Sequence, residues 1–170
     1  LFDEMWKGVS PAGTIEAHEI PAKPLDPYSY YNGDFIALEK AHLNKGWKLV
    51  DNWHPDNKAG KRNGFVDVPM LEATRPGDRL TLDFHGKAIG IFCVSGPSAG
   101  ILEYSIDGAP FKELDTFTEW SHNLYIPWVY MLETELKDMD HKLVLRISKK
   151  KNPASQGTEC QIRNFVVNGR

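Results

Sequence analysis

Gly96-Pro97-Ser98-Ala99-Gly100-Ile101-Leu102-Glu103-Tyr104-Ser105-Ile106-Asp107-Gly108 carries two incompatible readings, and the choice between them settles the architecture. G-x-S-x-G is the pattern of a nucleophile elbow, where a strand enters the serine and a helix leaves it, holding the hydroxyl on a sharp bend above an oxyanion hole. Here a strand leaves it. Residues 101–106 alternate apolar with polar or small side chains and run into Asp107-Gly108, a two-residue hairpin signal followed by another strand-like run at 109–114. Pro97 fixes its own φ and biases Gly96 towards extended backbone, which suits a β-turn. The stretch reads as a turn between strands, and Ser98 as a small polar turn residue.

The same grammar extends to both sides. Residues 35–38, 47–50, 65–68, 80–84, 88–94, 143–147 and 162–167 are short runs rich in β-branched and aromatic side chains, bounded by Gly, Pro, Asn or Asp. Many short strands with frequent turns predict an all-β chain, an antiparallel β-sandwich of jelly-roll type. Pro76-Gly77-Asp78 opens a strand, His85-Gly86-Lys87 turns it, and the next strand ends at 96–100, so three antiparallel neighbours are expected in succession. Residues 129–136 are helix-compatible, but Pro127 and its aromatic neighbours suit a long connecting loop equally well. At the start, Leu1, Phe2, Met5 and Trp6 have helical spacing, and residues 9–26 carry Pro11, Gly13, Pro21 and Pro24, a density that opposes both helix and sheet interior. The expected organisation is a helical remnant and Pro-rich linker over 1–20, the tail of an upstream domain, followed by a sandwich over 21–170.

Composition narrows the classes of function. A chain of 170 residues with net charge -3 and mixed signs suits one domain and lacks the basic footprint of a nucleic-acid binder. Lys149-Lys150-Lys151 stands beside Asn152-Pro153 and reads as a solvated loop tip. No apolar run approaches the ~20 residues of a membrane span. A first residue of Leu rather than Met is expected of a processed or excised fragment. Cys93 and Cys160 lie in apolar strand contexts and are compatible with two buried thiols or with one disulfide.

Longer motifs carry a resemblance. The run from Pro76 to Phe92, Gly96 to Gly100, Tyr104-Ser-Ile-Asp-Gly108, Trp120-Ser121 and Leu124-Tyr-Ile-Pro-Trp128 resembles the β-sandwich module appended to secreted GDSL-type (SGNH) hydrolases of polysaccharide-degrading bacteria. Ile20 to Tyr30, Val66 to Leu71 and Cys160 to Asn168 fit the same module, so the resemblance extends from about residue 18 onward. It implies a galactose-binding-like jelly roll that accompanies an esterase acting on acylated carbohydrate. It further implies an upstream SGNH hydrolase domain in the same polypeptide, ending in a helix like residues 1–6, and an extracytoplasmic location. The matching motifs are strands and turns and carry no catalytic group, so the site has to be argued separately.

Two constellations offer chemistry. Asp51-Asn52-Trp53-His54-Pro55 spells D-x-x-H-P, which resembles the Asp/His block of SGNH hydrolases, and Ser98 with His54 and Asp51 would make an esterase triad. Against it, no Gly-Asp-Ser block precedes the motif and a strand-like run rather than a helix follows it. The second constellation is aromatic: Trp120-Ser121-His122-Asn123 with Tyr125, Trp128 and Trp53 combines flat rings and hydrogen-bonding groups, which suits the C–H faces and hydroxyls of sugars. The competing reading for these rings is core or interdomain packing, and Trp47 belongs to the core because its strand alternates. The remaining histidines, His18, His42, His85 and His141, lack zinc-site spacing. No cofactor is implied, although a structural calcium held by loop carboxylates and carbonyls is compatible with a jelly roll. Three functions stand open: a noncatalytic accessory domain that binds glycan weakly or braces a catalytic domain, an esterase using Ser98, and an interaction module without ligand.

Overall fold

The computed structural model describes residues 2–8, 17, 19–29 and 31–169. Most of the expected linker, residues 9–16 and 18, lies outside them. A short helix, α1 (Phe2–Trp6), precedes eleven strands: β1 (Gly33–Ile36), β2 (His42–Lys45), β3 (Lys48–Trp53), β4 (Val68–Ala73), β5 (Arg79–Gly86), β6 (Ala88–Ser95), β7 (Ile101–Ile106), β8 (Lys112–Asp115), β9 (Ile126–Glu133), β10 (Met139–Ile147) and β11 (Cys160–Asn168). They form two antiparallel sheets. One runs β3-β4-β11-β6-β9, with β1 sharing the β4 side of β11, and the other runs β2-β5-β10-β7-β8. The chain is an all-β sandwich of jelly-roll type.

Alternation builds the core. Leu80, Leu82 and Phe84 of β5 are buried while Arg79, Asp83 and His85 between them are exposed, and Leu143, Leu145 and Ile147 of β10 repeat the pattern. They meet Ile89, Ile91, Cys93, Ile162 and Phe165 from the facing sheet in one continuous cluster. Each fully buried aliphatic side chain contributes about 1.5–3 kcal/mol from surface removed from water. β6 is buried almost throughout, because its outer side is also covered: Val94 joins Trp53, Met70 and Tyr125 in a second cluster, with Phe65 and Val66 packed against it.

Several expectations are corrected. Residues 85–87 do not form a hairpin, since β5 and β6 belong to different sheets. Gly86, at φ 140, lies so close to the end of β11 that a β-carbon would stand 2.6 Å from the Asn168 carbonyl oxygen, and Lys87 N donates to that oxygen at 2.7 Å. The corner thus turns the chain over the end of the sandwich. The turn at 96–100 also crosses between sheets, from β6 to β7. Residues 65–67 are not strand: Asp67 has φ 59 and β4 begins at Val68, while Phe65 and Val66 plug the second cluster from a loop. Residues 126–133 are neither helix nor loop but edge strand β9, where Pro127 is tolerated because one side of the strand has no partner to supply. β2, a polar His-Leu-Asn-Lys run with no β-branched residue, is held by pairing with β5 rather than by propensity. The Asp107-Gly108 hairpin is present, with φ 52 and 77 as a type I′ turn requires.

Candidate functional site

One end of the sandwich is made of loops tied to one another. Gly60 N donates to the Asn123 carbonyl at 2.7 Å and Tyr125 N to the Gly60 carbonyl at 2.8 Å, joining the β3–β4 loop to the loop before β9. Gly100 N donates to the Glu159 carbonyl at 2.8 Å and Glu159 N to the Ser98 carbonyl at 2.8 Å, which ties the 96–100 turn to the segment before β11. Beneath these loops Trp53 and Tyr125, each 4% exposed, pack edge to face with ring centroids 5.5 Å apart. The Trp53 indole N–H donates to Glu72 Oε1 at 3.1 Å, and Asn57 Nδ2 donates to the Tyr125 hydroxyl at 2.7 Å. Burial pushes the Tyr125 hydroxyl above the usual tyrosine pKa, so it remains protonated. These two rings are packing groups and present no open face to a sugar.

The other rings of the aromatic constellation remain accessible. Ser121 is buried, its N–H donates to the Thr118 carbonyl at 3.0 Å, and its Oγ accepts from Thr118 N at 3.0 Å. That double tie fixes the turn and leaves Trp120, the residue before it, 57% exposed. His122 is exposed and meets Phe117 edge to face at 5.0 Å. Trp128, on β9 opposite Cys93, is 44% exposed. Asn57 and Ser121 support this end; Ser121 lies within the Trp120-Ser121 motif, whereas Asn57 is marked by no sequence pattern.

The hydrolytic candidates are dispersed in their bonding. Ser98 occupies the third position of a β-turn closed by Ala99 N donating to the Gly96 carbonyl at 3.0 Å, and it packs beside Gly157. His54 Nδ1 is paired at 3.0 Å with Asp67, not with Asp51, and Asp51 is exposed on β3. No hydrogen bond links Ser98 to His54 among the described residues. Glu159, beside the turn, has its carboxyl raised above the usual range by burial and by the nearby Glu72 charge.

Two further features lie at the opposite end and on the outer face. Register aligns Phe35, Val166, Gly90 and Met131 in one row across β1, β11, β6 and β9, and Phe35, Val166 and Met131 of that row line an apolar groove of ≈ 390 Å³. A polar cleft, also ≈ 390 Å³, lies between the segment before β1 and the β5–β6 corner. Among the described residues no group of three or more His, Cys, Asp or Glu side chains is gathered for a metal, and no helix is long and apolar enough to cross a membrane.

By sequence, no family profile and no curated protein matches the chain. By structure, it is similar to a two-domain esterase (CEX) active on acetylated mannans, co-crystallised with mannopentaose, at 16% identity and TM-score 0.65 over 99% of this chain and 43% of that one. It is also similar to an exo-β-1,3-galactanase from Phanerochaete chrysosporium at 11% identity and TM-score 0.52, over 79% of this chain and 29% of that one. At such identity the likeness establishes the sandwich fold. The chain spans less than half the length of either structure.

Proposed function

We propose that the chain is a noncatalytic accessory β-sandwich of a GDSL-type (SGNH) carbohydrate esterase, and that it contacts glycan weakly through the open aromatic side chains Trp120, His122 and Trp128. One observation carries the reading: nearly the whole chain superposes on part of a two-domain esterase acting on acetylated mannans, while spanning 43% of it. The sequence resemblance points the same way, with an upstream hydrolase domain as its partner and an extracytoplasmic location. An exposed tryptophan carried on a pinned turn suits weak, reversible stacking on a pyranose face, since the backbone that carries the ring is fixed before the ligand arrives.

The test is titration of the chain with acetylated and deacetylated manno-oligosaccharides while following tryptophan fluorescence. A saturable change that Trp120→Ala removes supports the reading; an unaltered response in Trp120→Ala, or none across the panel, overturns the glycan-contact part. Hydrolysis of p-nitrophenyl acetate that Ser98→Ala abolishes would overturn the noncatalytic part. Bracing of a catalytic domain has its own support in the apolar groove lined by Phe35, Val129 and Met131, all exposed.

A further inference from the structure

We propose that the polar cleft at the far end of the sandwich is a second sugar site, taking a single neutral pyranose. It is separated from the Trp120 loops by the length of β6, eight residues or roughly 25 Å at ~3.3 Å per residue. The cleft is built rather than incidental. Lys87 Nζ donates to the Pro27 carbonyl at 2.8 Å, Asn168 Nδ2 to the Ser29 carbonyl at 3.1 Å and Gly169 N to the Asn32 carbonyl at 3.3 Å, and these bonds fasten the segment before β1 across the sandwich end. Its floor is two crossing backbones: a β-carbon on Gly169 would lie 2.3 Å from Gly86 Cα, so neither glycine can be exchanged without closing the crossing.

The groups around that floor have hydrogen-bonding capacity to spare. Asn168 lines the cleft and is almost fully buried, and its Oδ1, enclosed behind that lining, has no partner among the described residues. Lys87 has used one of its three N–H donors on Pro27, and its nearest carboxylate oxygen, on Asp138, is 3.9 Å away. Asp138 reaches only His85 Nε2 at 3.5 Å and Lys87 at 3.9 Å, so its acceptors are largely unspent. Asn32 makes no side-chain hydrogen bond among the described residues. Oriented donors and acceptors of both kinds, next to one flat ring, match a polyhydroxylated ring with an apolar face. Tyr31 on the rim is 66% exposed and supplies the ring. Charge argues for a neutral ligand, because His85 is paired with Asp140 at 2.8 Å and Lys87 faces Asp138, leaving no excess cation for an acid.

The site is independent of the Trp120 end, and one experiment keeps them apart. The ¹⁵N-labelled chain is titrated to tens of millimolar with methyl mannopyranoside, methyl galactopyranoside, methyl glucopyranoside and, separately, galacturonate. Saturable shifts of the Gly86, Lys87 and Gly169 amides with at least one neutral glycoside, weakened about tenfold or more in Tyr31→Ala at unchanged melting temperature, are expected. Asp138→Asn should weaken binding while leaving the fold intact. No shift at these amides with any neutral glycoside, shifts only with galacturonate, or an affinity untouched by Tyr31→Ala would overturn the proposal, whatever the Trp120 indole does.

Discussion

A β-carbon placed on Gly96 would lie 2.1 Å from Cε1 of Tyr125, inside the buried ring. The first glycine of the G-x-S-x-G stretch is therefore there for a close approach: the turn from β6 to β7 rests on the Tyr125 ring, which rests in turn on Trp53. The last one, Gly100, stands against the backbone of Thr158, where a β-carbon would come within 2.6 Å. Both glycines are accounted for by packing, with no demand for an exposed nucleophile at Ser98.

Gly96→Ala is accordingly expected to cost about 2–3 kcal/mol, since the Tyr125 ring is enclosed and cannot swing away. Ser98→Ala should stay within about 0.5 kcal/mol of the parent. Thermal unfolding of both variants checks this. Equal melting temperatures would contradict the packing account of the motif.

His141 sets a pH dependence of stability. Its Nδ1 lies 2.6 Å from Asp107 Oδ2 and its Nε2 2.8 Å from the Lys137 carbonyl; with the carboxylate ionised, both partners only accept, so both nitrogens carry protons. Burial alone would lower its pKa, but the Asp107 hydrogen bond and charge and the Lys137 carbonyl together raise it. Asp107 is lowered, first by the His141 hydrogen bond. The histidine contribution is full below its unfolded pKa of about 6.5 and is lost as pH rises through the raised folded value; the aspartate contribution is full above about 3.9 and is lost as pH falls. Denaturant unfolding should show a decline in stability from about pH 6 to pH 8 that His141→Gln flattens. An identical slope in the variant would contradict the assignment.

Both cysteines are expected to be silent in the folded chain. Burial pushes the Cys93 thiol up to about 12, outweighing the Ser95 hydroxyl, and Cys160 is raised well above its usual range by burial and by Cys93. The structure has them as free thiols in the core. Ellman's reagent should find neither in the native protein and both in guanidinium; prompt native labelling of either would be inconsistent with this packing.

Trp120→Ala should leave the melting temperature within about a degree, because an exposed ring on a turn held by Ser121 and Thr118 contributes little to the core. Trp53→Ala should cost about 3–5 kcal/mol, as a buried ring with a bonded indole does. A large loss on changing Trp120 would mean that it is a packing group after all.

Strand content was legible because it rests on local signals. Residues 101–106 alternate and end in Asp107-Gly108, and the strand and its I′ turn fall where those signals put them. Apart from that hairpin, which strands are neighbours was not legible. Nothing in His85-Gly86-Lys87 distinguishes a hairpin from a corner between sheets; the difference lies in Asn168, more than eighty residues later, whose backbone fills the bend. β9 was hidden by Pro127, a strand breaker anywhere but at an edge, and edge position is a property of the assembled sheet. The aromatic end was half legible: composition marked the rings, but only packing separates Trp53 and Tyr125, which are enclosed, from Trp120 and Trp128, which are open.

The most direct test of glycan contact at the aromatic end is a ¹H–¹⁵N titration of the five tryptophan indole signals with acetylated manno-oligosaccharides. The account predicts saturable shifts of Trp120 and Trp128 while the enclosed Trp47 and Trp53 signals stay in place; no movement of Trp120 or Trp128 at any oligosaccharide concentration would contradict it.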